Sequence, residues 1–343
     1  MLSLRVARGS RPAVLLRRAV VTVTAAGTGF LLLAALAHAA LHPGHADGSA
    51  LRLAWCAVPF ALTAYLAALV ARTEPSCRLS AGQPLALGRV RTLGAATTAL
   101  SCALGSAVAL TAFQPPVPLA GALTLLVLLP VAAAGAAALS LRLPRPAKAP
   151  GGLPWGAALI AIGVAVEFSA GSGSGVPLPG GLGRVAPAVL CGWALTAAGL
   201  VLAGPGLVHA CGRLLAACRP GALRLIAGRA LQEEAPRVGR PLGVLCAVAS
   251  ALYATGAVAR VRPAGPLTAL GIALVLLAAL AAALTAMAEA RQARLPATAA
   301  LTGLGAPASL LRGAAALRTG VVLAAAVPAT WAVAELAGLR LGS

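Results

Sequence analysis

The sequence predicts an all-α, polytopic transmembrane bundle of about nine spans. Three observations predict it. Of 343 residues, 60% are hydrophobic and only 10% are charged, whereas soluble domains carry about 25% charged residues. The apolar residues fall into runs of about 20, the length that crosses about 30 Å of hydrocarbon as a helix. The basic residues collect in short segments between those runs. A single core could not hide this much apolar side chain. In lipid, each backbone group is then satisfied inside its own helix.

In chain order the spans read Ala19–Leu41, Leu53–Ala71, Leu93–Phe113, Ala120–Leu141, Leu153–Ala170, Val185–His209, Pro241–Val258, Pro266–Met287 and Thr319–Leu336. The first ends near Ala37-His38-Ala39, which resembles a signal-peptide cleavage site. Its apolar stretch exceeds the usual signal core, so it is read as an uncleaved helix. A loop from His42 to Arg52 separates the first two spans, and Pro75 and Pro84 lie in the loop that follows the second. The fifth span is the shortest, and Gly171–Gly175 with Pro177 and Pro179 forms the turn after it. Before the seventh, Leu223–Arg240 places Leu223, Ile226, Ala227, Ala230 and Leu231 at the spacing of an amphipathic helix on the membrane surface. That segment also holds an acidic patch, Gln232-Glu233-Glu234, and reads either as a structural elbow or as a docking element.

Charge orients the bundle. With the N-terminus in the cytoplasm, the outer side keeps Arg52, Arg184, Arg260, Arg262 and Arg340, and the other 22 of the 27 basic residues lie inside. Such a bias follows the positive-inside rule. The expected location is the cell membrane, with a short C-terminal tail outside.

A net charge of +20 on a soluble chain would point to nucleic acid. Here the arginines are loop residues and no basic face interleaved with aromatics exists, so nucleic-acid binding is not expected. The seven cysteines form no C-x-x-C pair, and neither a disulfide framework nor a zinc site is expected. His42-x-x-His45-x-Asp47 could ligate a metal, but loop histidines of this kind are ordinarily solvated. No nucleophile–base pair or carboxylate dyad stands out. The sequence therefore predicts neither an enzyme, a cofactor nor a metal. Two acids lie in spans. Glu167 is a candidate intramembrane polar site, or else a carboxylate facing the water at the nearby turn. Glu335 reads as interfacial.

The two ends of the chain look alike. Leu4-Arg5-Val6-Ala7-Arg8-Gly9 resembles Leu223-Arg224-Leu225-Ile226-Ala227-Gly228, and Leu93-Gly94-Ala95 recurs 211 residues on as Leu304-Gly305-Ala306. Each triplet closes a basic inner segment, and adding the offset to the second span lands on the eighth. An internal duplication is expected, with segments 1–141 (four spans), 142–212 (two linking spans) and 213–343 (three spans).

At these inner segments the chain resembles the FtsX/MacB-type permease subunits of ABC transporters. The clearer copy runs Glu289-Ala-Arg291-Gln-Ala-Arg294, then Leu301-Thr-Gly-Leu304-Gly305-Ala306, then Leu310-Leu311-Arg312. The weaker one runs through Arg89 and Arg91 to Leu93-Gly94-Ala95. The plan of four spans, two spans and a second set resembles the BceB-like branch, without a large extracellular domain. Pro296 falls where the family's coupling helix continues, a position at which proline costs about 3 kcal/mol. The resemblance implies a separate ATPase, because this chain has no G-x-x-x-x-G-K-[ST] loop of its own. It also implies a homo- or heterodimer. The residues around Glu289–Arg312, and less strongly Arg89–Ala95, would then couple to that ATPase. The alternatives are a non-transporting scaffold or regulatory protein, and a secondary transporter. The latter normally carries several intramembrane charges.

Overall fold

The computed structural model describes residues 12–41, 46–73, 84–113, 119–142, 152–169, 176–177, 184–217, 221–259 and 266–341. Nine helices cover almost all of them: α1 (Pro12–Leu41), α2 (Ala46–Thr73), α3 (Pro84–Ala112), α4 (Leu119–Arg142), α5 (Gly152–Ser169), α6 (Pro187–Ala217), α7 (Ala222–Ala259), α8 (Pro266–Gly303) and α9 (Ala308–Leu341). Strands β1 (Val176–Pro177) and β2 (Arg184–Val185) make one short antiparallel pair, with Val176 opposite Val185. Eight of the helices are long and apolar enough to cross a membrane. The chain is a multi-pass helical membrane protein. The remaining helix, α7, holds the expected apolar run Pro241–Val258 in its second half.

Several helices are longer than the sequence expectation. α1, α3, α6, α8 and α9 run into the basic segments instead of stopping at them, and α2 starts at Ala46, inside the loop expected over His42–Arg52. The surface helix expected over Leu223–Arg240 and the span after it form one 38-residue helix, α7, running through Pro236 and Pro241. Helix α8 is also 38 residues long and passes Pro296 without a break. At 1.5 Å per residue each is about 57 Å long, nearly twice the hydrocarbon thickness.

The contacts divide the chain into two compact units, Met1–Pro144 with Pro266–Thr285, and Arg145–Gly265 with Ala286–Ser343. These boundaries follow packing and run differently from the three segments read from the repeat. Unit 1 is built on side-chain burial. Val21 and Ala25 of α1, Leu66, Ala67 and Val70 of α2, Cys102 of α3, Leu129 and Ala133 of α4 and Ala282 of α8 form its core. Buried hydroxyls join the helices: Thr28 and Thr63 lie 3.0 Å apart, one hydroxyl donating to the other, and the accepting hydroxyl donates in turn to a carbonyl of its own helix. The Arg72 guanidinium donates to the Ser140 carbonyl at 2.6 Å, a cation placed at the C-terminal end of α4 where the helix dipole favours it.

Unit 2 has an apolar core of its own, Val208 and Cys211 of α6, Leu231, Ala235 and Leu242 of α7 and Ala326 of α9, and adds to it an extended close approach of backbones. Glycines recur every seven residues along facing sides of α5 (Gly156, Gly163) and α6 (Gly192, Gly199, Gly206), and each lies directly against the other helix. A second seam joins α6 to α7 through Gly204 against Gly239 and Gly212 against Gly228. Small residues at helix contacts let backbones meet where lipid removes the usual hydrophobic drive.

Candidate functional site

Two places carry the residues that the sequence singles out. The first is the hairpin between α8 and α9. Helix α8 ends in a capping turn at Leu304-Gly305-Ala306. The Ala306 N–H donates to the Leu301 carbonyl and the Gly305 N–H to the Thr302 carbonyl, both at 3.0 Å. Gly305 has φ +87°, the left-handed conformation that only glycine adopts without strain. Pro307 follows, its carbonyl accepting from Leu310 and Leu311 as α9 begins. Leu304 is 84% exposed at the tip. Arg291 and Arg312 are exposed on the two arms, while Glu289 is buried.

The hairpin is anchored to α7 by three charges. Arg294 of α8 and Arg318 of α9 both reach the same Glu234 oxygen, Oε1, at 2.9 and 3.1 Å. Each arginine also donates its Nε–H to a carbonyl four residues back on its own helix, Ala290 and Ala314 respectively, both at 3.2 Å. One carboxylate is thus held between two guanidiniums whose geometry is fixed by their own helices. Burial pushes the Glu234 carboxyl above the ordinary glutamate range, against the opposing pull of Arg294, Arg318 and Arg237. In the sequence Arg294 and the acidic patch are separate features with no spacing that pairs them, and Arg318, the third member, is one basic residue among the inner segments.

The weaker copy takes a different structure. Leu93-Gly94-Ala95 was expected to close a loop, but it lies inside α3, which begins at Pro84. Arg89 and Arg91 stand on the same helix. Gly94 is buried, and the Thr97 and Thr98 hydroxyls donate to the Gly94 carbonyl at 3.0 and 3.2 Å. Nothing downstream stops the helix there. Ala96, Thr97 and Thr98 continue it, whereas Ala306 is followed by Pro307.

The second place is Glu167. It is only 2% exposed, set between α5 and α6. The Thr196 hydroxyl donates to its Oε1 at 3.3 Å. Gly192 leaves room for it: a Cβ there would lie 2.5 Å from the Glu167 Cγ. The carboxyl therefore faces the glycine seam and not the water at the turn. Glu335 accepts a hydrogen bond from the Tyr253 hydroxyl at 2.8 Å in an exposed pair.

His42 and His45 lie outside the described residues. Among the described residues no group of three His, Cys, Asp or Glu side chains could hold a metal ion. No family model, no curated protein and no solved structure matches the chain.

Proposed function

We propose that the chain is the membrane-spanning permease subunit of an ABC-type transporter, working with a separate ATPase that docks on the α8–α9 hairpin. The observation that carries this reading is the build of that hairpin. Helix α8 runs well past its apolar half, turns tightly at Gly305, and is fixed to α7 through Glu234. A rigid arm with an exposed leucine at its tip and arginines on its flanks can pass a push from a partner into the spans. Motion of this kind needs no covalent chemistry in the chain itself. On this reading the arginine-rich end faces the cytoplasm.

The test is purification of the full chain from its native membrane, followed by identification of co-purifying chains. An ATP-binding subunit is expected. It should be lost with Leu304→Asp plus Arg312→Gln while thermal unfolding stays unchanged, because both side chains are exposed. Absence of any ATPase under conditions that preserve a known transporter complex would replace this reading with the non-transporting scaffold. One observation favours that second reading. Among the described residues the other Leu-Gly-Ala copy makes no hairpin.

A further inference from the structure

We infer that Arg240, at the depth that Trp155 marks on another side of α6, forms a seat for the phosphate of an anionic phospholipid at the arginine-rich edge of unit 2. The level is fixed twice, from independent observations. By sequence, Arg240 is the last charged residue before the uncharged run Pro241–Ala259. By packing, Gly239 lies directly on Gly204 and Pro205 of α6. On another side of that stretch of α6 lies the first turn of α5. A Cβ at Gly152 would meet the Leu202 carbonyl at 2.6 Å, and one at Gly206 would meet the Leu153 Cβ at 2.6 Å. The end of a membrane span and the last charge of α7 therefore share one plane.

Two side chains stand out of that plane. Trp155, in the first turn of α5, is 74% exposed. Arg240 is exposed on α7. An outward indole belongs at the headgroup boundary, where its ring meets acyl chains and its N–H meets water. A guanidinium at the same depth offers a planar fork that matches two phosphate oxygens. No acidic residue competes from the neighbouring turns, since positions three and four away are Pro236, Arg237, Gly243 and Val244. Glu233, by contrast, stands four residues from both Arg229 and Arg237. A zwitterionic headgroup brings its own cation to the site, so an anionic headgroup is the better occupant. This inference does not depend on the ATPase reading.

The experiment uses the full chain in nanodiscs of phosphatidylcholine with a minor share of phosphatidylglycerol. Lipids retained on gentle release are counted by native mass spectrometry. The wild-type chain is expected to keep phosphatidylglycerol over phosphatidylcholine. Arg240→Gln is expected to lower that retention about five-fold, the factor given by about 1 kcal/mol per basic residue near an anionic surface. Arg240→Lys keeps the charge without the fork and should fall between the two. Arg312→Gln, on the hairpin arm, should match wild type. Equal retention of the two lipids by wild type, or unchanged retention in both Arg240 variants, would overturn the seat. So would an equal loss in Arg312→Gln, or displacement of the lipid by excess inorganic phosphate.

Discussion

Leu93-Gly94-Ala95 and Leu304-Gly305-Ala306 share three residues and take two structures: one is helix interior, the other a helix end with φ +87° at its glycine. What differs is the next residue. Proline disfavours the helical region for the residue before it, so Ala306 is steered out of the helix by Pro307. Gly305 can then take the left-handed turn at little cost. Ala96 imposes no such stop, and α3 runs on. A tripeptide match therefore says little about a shared fold until its flanks match too. The α8–α9 copy also has what the α3 copy lacks among the described contacts, a carboxylate from another helix bridging both of its arms.

The comparison can be broken most forcefully at that carboxylate. Glu234→Ala leaves Arg294 and Arg318 close together with no shared acceptor. Removing one partner of a buried pair costs about 3–5 kcal/mol, and the partial exposure of both arginines brings the expectation to about 2–3 kcal/mol. Denaturant unfolding in detergent would measure it, with limited proteolysis at the hairpin showing whether the arms separate. An undiminished midpoint would mean that the three charges do not hold the hairpin.

Substituting the two glycines sharpens the contrast between the copies. Gly305→Ala forces an L side chain into a left-handed turn and should destabilise by about 1 kcal/mol. Gly94→Ala meets no such backbone strain, because Gly94 lies inside a helix. A Gly305→Ala variant that melts with the wild type would contradict the left-handed turn.

The smallest effect expected is that of pH. Because burial raises the Glu234 carboxyl above its ordinary range, the folded chain binds that proton more tightly than the unfolded chain. The resulting contribution is fully present below the ordinary glutamate value and is lost as pH rises through the raised one. Glu234→Gln, which mimics the protonated form and keeps an oxygen acceptor, should flatten this dependence and cost far less than the alanine variant. A pH profile unchanged by Glu234→Gln would assign the titration to another group.

Much of the bundle is legible in the sequence because hydropathy alone marks membrane helices. All eight candidate crossings coincide with expected spans, and the apolar part of α7 coincides with the ninth. Their ends were less legible. Charge changes along a helix at the membrane edge without breaking it, so Leu223–Arg240 looked like a separate element and proved to be the first half of α7. Pro241, where the seventh span is read to begin, and Pro296 likewise lie inside continuous helices. The site was legible in its parts only. Glu234 and Arg318 are 84 residues apart, and no local spacing relates them. The burial of Glu167 did have a signal, in the seven-residue spacing of glycines on α5 and α6, which marks a seam tight enough to enclose a carboxyl.

Helix α8 contributes its first half, Pro266–Thr285, to one unit and Ala286–Gly303 to the other. During synthesis the four helices of unit 1 emerge first, yet the helix that completes their core comes only after α5, α6 and α7 have been made. The order of translation therefore differs from the order of assembly. An N-terminal fragment ending before Pro266 lacks Ala282 and leaves that core open to lipid or to a chaperone. Releasing the nascent chain on either side of α8 would reveal when the first unit closes.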